Sequence, residues 1–176
     1  MICVSPGLVP DAVCHALIGC FARHIRHLGG ADDQPAFAHR VLRLGQLSVA
    51  APAGDRSVRQ MRAIRWLVTE RLREFFRDPG IHPEETQIVR WSPGDGQPLH
   101  LDMTRETTTY AAILYLNDDF LGGETFFENG ATIRPRTGTL VGFHGASLRH
   151  GVRTVVAGTR LTMPIWFTDR KGCAEP

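Results

Sequence analysis

Pro98-Leu99-His100-Leu101-Asp102, taken with Leu148-Arg149-His150-Gly151, is the stretch on which the reading of this chain turns. His100 and Asp102 are two residues apart, and on a β-strand that spacing sends both side chains to one face. An imidazole and a carboxylate on one face, joined by an imidazole from far along the chain, make the two-histidine, one-carboxylate donor set of a ferrous iron site. Three such ligands leave the remaining positions of an octahedron open. A structural zinc site would close four positions, usually with cysteine. A His-x-Asp pair alone is a weak signal, since surface strands often carry both residues. Its weight depends on the order of what surrounds it.

Upstream, the chain reads as helical. Pro10-Asp11 opens a first helix with Asp11 as N-cap, and Ala12, Val13, Ala16, Leu17, Cys20 and Phe21 recur at helical spacing up to a stop at Gly29-Gly30. His15, His24 and His27 ride on this helix with no carboxylate or thiol beside them, which fits surface histidines rather than ligands. Val41-Leu42-Arg43-Leu44 reads as a short strand, and Ala50-Ala51-Pro52-Ala53-Gly54 as a link between elements. A long helix is expected over 57–76, with Met61, Ile64, Val68, Leu72 and Phe75 as its buried stripe and Asp78-Pro79-Gly80 as its end. Arg59, Arg62, Arg65 and Arg73 lie off that stripe and read as a solvated outer face.

From Glu85 the texture changes to short alternating segments separated by turn residues. Strands are expected near 87–91, 99–102, 110–117, 124–127, 131–134, 140–143, 148–155 and 160–168. Helices followed by a run of strands is an α+β arrangement, with the strands in a sandwich or barrel. The length of 176 residues fits one domain, with helical support over 10–80 and a β core over 85–169.

Composition excludes several classes. A hydrophobic share of 43% and a charged share of 22% are those of an ordinary globular chain, and the net charge of +2 is too small to argue for nucleic acid or a membrane surface. No apolar run is long enough to span a bilayer, and the N-terminus lacks the pattern of a signal peptide. Cys3, Cys14, Cys20 and Cys173 form no Cys-x-x-Cys pair, and Cys14 and Cys20 are expected on different helix faces. This usage reads as reduced thiols and a cytoplasmic location.

The order of motifs then becomes specific. His100-x-Asp102 is followed by Ile113-Leu114-Tyr115-Leu116-Asn117, Gly122-Gly123-Glu124-Thr125, Pro135-x-x-Gly138, His150-Gly151, Gly158-Thr159-Arg160 and Trp166. In that order they resemble the prolyl 4-hydroxylase-like branch of the iron(II)/2-oxoglutarate-dependent dioxygenases, over roughly residues 87–168. The resemblance implies a double-stranded β-helix, jelly-roll or cupin-like, braced by N-terminal helices. It implies His100, Asp102 and His150 as ligands of Fe(II), and Arg160 as the partner of the distal carboxylate of 2-oxoglutarate. Tyr115 and Thr162 would add hydroxyls to that co-substrate site. Prolyl hydroxylases usually have lysine where Arg160 stands, but the sole lysine here, Lys171, lies beyond the last expected strand. A guanidinium grips a carboxylate with two parallel bonds, so the departure is tolerable. Trp91 stands where the family often has tyrosine. Glu124 is expected to shape the rim of the site rather than to ligate, and His144 is the rival of His150.

The implied reaction is hydroxylation of an unactivated C–H bond with O2 and 2-oxoglutarate, releasing succinate and CO2, with ascorbate as an auxiliary reductant. Related halogenases lack the carboxylate that Asp102 provides, so hydroxylation is the default. The pocket is expected to draw on Arg90, Trp91, Arg105, Glu106 and Trp166, with Arg153 near. The favoured substrate is a small amino-acid-like molecule; a peptidyl, prolyl-type side chain and a non-catalytic binding module are the alternatives. No nucleic acid or membrane partner is expected, and the sequence leaves the oligomeric state open.

Overall fold

A computed structural model describes residues 1–28, 41–102 and 107–170. The chain runs β1 (Ile2–Ser5), α1 (Asp11–Leu28), β2 (Val41–Arg43), α2 (Leu44–Ala50), α3 (Arg56–Phe76), β3 (His82–Trp91), β4 (Gln97–His100) and β5 (Tyr110–Tyr115). It continues with β6 (Leu121–Gly122), β7 (Thr125–Phe127), β8 (Thr132–Ile133), β9 (Leu140–Phe143), β10 (His150–Val152), β11 (Val155–Ala157) and β12 (Arg160–Thr168).

The strands form a six-stranded sheet in the order β1-β9-β5-β12-β3-β2, a four-stranded sheet in the order β4-β10-β7-β8, and a β6–β11 ribbon, all with antiparallel pairing. Period-two alternation decides which side of the larger sheet each residue serves. In β5, Ala112 and Leu114 pack with the helices, together with Leu42, Ile88, Met163 and Ile165 of neighbouring strands. Ala111, Ile113 and Tyr115 turn the other way and pack with Phe127 of the smaller sheet and with Val141 and Phe143. The result is two facing sheets with helices bracing the outer face of the larger one, which is the expected double-stranded β-helix. Each fully buried aliphatic side chain in these layers contributes about 1.5–3 kcal/mol.

The helices follow their apolar stripes. Cys14, Leu17, Cys20 and Phe21 of α1 and Met61, Ile64, Val68 and Leu72 of α3 are buried in the layer against the sheet. Phe75, expected in that stripe, is only half-buried. Asp55 caps α3 by accepting from the backbone amides of Ser57 at 2.7 Å and Val58 at 3.2 Å.

Several expectations need correction. Asp11 is the first residue of α1 and not its N-cap, since Val13 and Cys14 already donate their amides to the Pro10 carbonyl. Cys14 and Cys20 both reach the same core rather than opposite faces, and Cys3, Cys14 and Cys20 are free and buried. Helix α2, anchored by buried Leu44 and Leu47, begins inside the stretch read as a strand. The strand expected over 99–102 stops at His100, because the Asp102 amide leaves the ladder to donate to the Gly145 carbonyl at 3.0 Å. The strand expected over 148–155 breaks at Arg153-Thr154, where the Arg153 amide turns to the Glu124 carbonyl. Gly29-Gly30, Arg105, Glu106 and Cys173 lie outside the described residues, and so does the side chain of His27. Among the described residues no helix is long and apolar enough to cross a membrane.

Candidate metal and co-substrate site

Strand pairing brings the two distant motifs together. β10 lies antiparallel beside β4 with His150 directly opposite His100, so their rings approach to 4.3 Å between centroids. Asp102 follows β4, and its tether to the Gly145 carbonyl turns its carboxylate toward both imidazoles. His100 Nε2 lies 3.5 Å from Asp102 Oδ1, and His150 Nε2 lies 3.6 Å from Asp102 Oδ2. One donor atom from each residue falls within 4.8 Å of the others, a spacing that could hold a metal ion.

The ring nitrogens are prepared for this. His100 Nδ1 donates to the Pro98 carbonyl at 2.9 Å, which leaves the Nε2 lone pair facing Asp102. Burial pushes His100 down, but the Asp102 carboxylate and the Pro98 carbonyl outweigh it, so its pKa lies above the ordinary value. His150 is nearly enclosed, and burial, with the neighbouring His100 adding to it against the pull of Asp102, takes its pKa down to about 4. His150 is therefore neutral near pH 7, with a lone pair available. Its Nδ1 is buried without a well-aligned hydrogen bond, with the Leu148 carbonyl favouring a proton on that side.

His144, the rival imidazole, is elsewhere. It sits in an aromatic cluster, 4.4 Å from the Tyr110 ring and 5.0 Å from the Phe76 ring between centroids. Glu124 also stays apart from the three donors, its backbone carbonyl accepting from Arg153.

Beside the donors lies a cleft of about 370 Å³ whose lining includes His100, Asp102, Trp91, Arg160, Thr162 and Trp166. Arg160 is 1% exposed. Its Nε donates to the Gly123 carbonyl at 3.0 Å, while Nη1 and Nη2 reach Thr162 and Thr125 hydroxyls only at 3.4 Å. The guanidinium stands 5.4 Å from the Trp91 and Tyr115 ring centroids. No carboxylate pairs with it among the described residues, and burial lowers its pKa against the opposing influence of Tyr115. A buried cation with weakly engaged terminal nitrogens and no anion is costly unless a ligand brings the charge. Gly123, at φ +67°, makes room for it: a Cβ there would stand 2.9 Å from Arg160 Cδ.

The other sequence candidates divide. Thr162 lines the cleft, as do Trp91 and Trp166. Tyr115 lies behind Arg160, fully buried, and donates its hydroxyl to Thr125 Oγ1 at 2.6 Å instead of lining the cleft. Arg90 is not in the cleft. Alternation along β3 sends it to the opposite face from Trp91, where its guanidinium carbon is 6.0 Å from the Phe21 ring. Arg153 lies over the Phe126 ring at 4.6 Å, also away from the cleft. Thr125 closes the Gly122-Gly123-Glu124-Thr125 motif, and its hydroxyl joins Tyr115 to Arg160. Arg43, Glu85 and Gln87 were not singled out and line the same cleft. Alternation was the available signal, since Glu85 and Gln87 share the face of Trp91.

No model of a known protein family matches the chain. A prolyl-4-hydroxylase of Pseudomonas putida superposes with a TM-score of 0.70 at 21% identity, covering 96% of this chain and 92% of that one. A prolyl hydroxylase of Trichoplax adhaerens, solved with a hypoxia inducible factor peptide fragment, gives 0.73 at 15% identity over 96% and 83% of the two chains. This chain has the prolyl hydroxylase fold. In sequence, prolyl 3-hydroxylase 2 of Rattus norvegicus is 41% identical over 66 residues, 34% of this chain but only 9% of that protein's length. The prolyl hydroxylase fold accounts for the two facing sheets.

Proposed function

We propose that the chain is an iron(II)/2-oxoglutarate-dependent hydroxylase of an aliphatic C–H bond, acting on an amino-acid-like substrate of the proline type. The observation that carries this is one cleft holding both halves of the requirement. Three donors converge within 4.8 Å at one side, and a buried guanidinium with no anionic partner among the described residues lies in the same cleft. The donor set suits ferrous iron, and the buried Arg160 cation suits a dicarboxylate co-substrate, so the residues present fit both groups.

In this reading His100, Asp102 and His150 hold the metal, and Arg160 takes the distal carboxylate of 2-oxoglutarate with Thr162 beside it. When bound, iron with 2-oxoglutarate and O2 supplies an oxidant able to turn C–H into C–OH, releasing succinate and CO2, with ascorbate as an auxiliary reductant. The chain's part is positional. The Pro98 carbonyl fixes the His100 tautomer, and burial keeps His150 unprotonated. The Gly123 carbonyl holds Arg160 Nε, which leaves the two terminal nitrogens, only loosely engaged by the Thr162 and Thr125 hydroxyls, to serve a carboxylate as a fork. Trp91 and Val152 line the cleft and keep water from the charged groups. Residues 1–176 would act as one unit, with the helices bracing the β core.

A peptidyl prolyl side chain is the second reading, favoured by the Trichoplax neighbour having been solved with a peptide fragment. The test is succinate formation from 2-oxoglutarate with Fe(II), ascorbate and candidate amino acids or peptides, with product mass followed for one added oxygen. Succinate above the metal-free control supports the hydroxylase. Absence of turnover together with absence of 2-oxoglutarate binding would leave only a binding module on this fold.

A further inference from the structure

The lining of the cleft also includes a polar group that the co-substrate does not need. Glu85 of β3 and Arg43 of β2 line it together, with Arg43 Nε 3.2 Å from Glu85 Oε1 and side-chain exposures of 27% and 18%. Gln87 donates its side-chain amide to the same oxygen. The neighbouring wall is apolar: Val41, Val89, Pro164 and Trp166. An ion pair held at a half-buried wall stabilises a fold little, because desolvation offsets most of its attraction. Apolar residues would close this wall at least as well, so its charges call for another account.

The layout along β3 adds direction. Trp91 stands opposite Arg160 and Glu85 opposite Trp166 in the register. At about 3.4 Å per residue these two ends of the strand are about 20 Å apart. The cation assigned to the co-substrate is at one end and the Arg43–Glu85 pair at the other. Trp166 Nε1 is buried and lacks a hydrogen-bond partner among the described residues, so an unused donor lies beside the pair. Arg43 and Gln87 both donate to Glu85 Oε1, which leaves Oε2 with acceptor capacity.

We infer that Arg43 and Glu85 recognise the α-carboxylate and α-ammonium groups of a free amino acid, and so select a zwitterion over a residue within a peptide. This rests on the hydroxylase reading and narrows its substrate class. A free α-amino acid carries an anion and a cation on neighbouring carbons, and an adjacent guanidinium and carboxylate are their complement. Glu85 would accept from the ammonium while Arg43 donates to the carboxylate. Inside a peptide the same two positions are neutral amides, which cannot match either charge.

The experiment is calorimetric. Wild-type protein loaded with Mn(II) and 2-oxoglutarate is titrated with L-proline and with N-acetyl-L-prolinamide, and then with each other protein L-amino acid and its N-acetyl amide. At least one free acid is expected to bind about tenfold or more tightly than its blocked form, the scale of one charge-assisted hydrogen bond. Glu85→Gln should remove the discrimination at the amino end, read with the N-acetyl acid. Arg43→Gln should remove it at the carboxyl end, read with the free amide. Blocked forms that bind as well as free acids, no binding by any free acid, or variants that discriminate as wild type does would each overturn the inference. The wild-type comparison stands even if a variant fails to fold. Failure of the hydroxylase reading is seen separately, as absence of 2-oxoglutarate binding, and the amino-acid titrations are then read on the metal-free protein.

Discussion

Replacing Arg160 with methionine separates the cost of a buried cation from its use. The side chain is 1% exposed, has one good hydrogen bond at 3.0 Å and two at 3.4 Å, and has no carboxylate partner among the described residues. Methionine fills a similar volume. Losing the Nε bond leaves the Gly123 carbonyl short of a donor, at about 1–3 kcal/mol. Removing an uncompensated buried charge returns about 1–4 kcal/mol. The two nearly cancel, so Arg160→Met without ligand should stay within about 3 kcal/mol of wild type, a Tm change of about 12 °C at most for a chain of this size. Affinity behaves differently. Two charge-assisted bonds to a carboxylate, each worth about 1.5–3 kcal/mol, are lost, so the Kd for 2-oxoglutarate should rise by about 10²–10⁴. The assay is thermal unfolding with Mn(II) and rising 2-oxoglutarate. At a hundred times its Kd the ligand should stabilise wild type by about 2.7 kcal/mol, which is about 5–11 °C. Arg160→Met should show almost no shift at that concentration, and Arg160→Lys part of it. A variant with the wild-type shift, or one whose ligand-free form is far less stable, would refute the assignment of this cation to an anionic ligand.

Other outcomes follow from the same site. The His150 pKa is about 4 against an ordinary 6.5, so between those values the unfolded chain binds a proton that the fold refuses, and stability falls as pH falls. The loss should approach about 3 kcal/mol by pH 4 in metal-free protein, partly offset by His100, whose pKa is shifted upward; urea midpoints for wild type and His150→Gln should diverge from pH 7 to pH 4, and parallel curves would exclude this titration. Thr125→Val strands the Tyr115 hydroxyl and loosens Arg160, so 2-oxoglutarate affinity should drop about tenfold while Mn(II) binding, followed by electron paramagnetic resonance, holds. Burial lifts the Cys14 thiol to about 11, so alkylation at pH 8 with peptide mapping should leave Cys14 unmodified until denaturant is added.

Much of this arrangement was legible because it is written in ordered local signals. The His100-x-Asp102 pair, the later His150 and the Arg160 ten residues beyond it stand out through the order of motifs and the family resemblance that order carries, without knowledge of the packing. The helices were legible from periodicity, as with Met61, Ile64, Val68 and Leu72 of α3. What escaped depends on tertiary bonds. Helix α2 has a glycine at its second position and only seven residues, so it exists because Leu44 and Leu47 are buried, and propensity gives little warning of that. The short ends of β4 and β10 are set by amides that leave the ladder for Gly145 and Glu124 carbonyls, partners far off in sequence. Arg90 is different: its charge suits a pocket, but alternation alone puts it on the other face of β3 from Trp91, beside Phe21.

The dependence on register runs deeper than any single residue. Arg160, Thr162, Pro164 and Trp166 reach the cleft from every second position of β12, and Glu85, Gln87, Val89 and Trp91 do so from β3, its partner strand. The smaller sheet supplies His100 and His150 as directly opposed residues. Slipping β12 by one residue would turn Arg160 toward the helices and replace it with Leu161, and the donor trio would remain while its charged neighbour vanished. The candidate site is thus not three donors on an indifferent scaffold. The same alternation that buries Leu161, Met163 and Ile165 under the helices is what aims the cation, the hydroxyl and the indole at one cleft. Apolar burial on one face therefore holds the chemistry on the other in place.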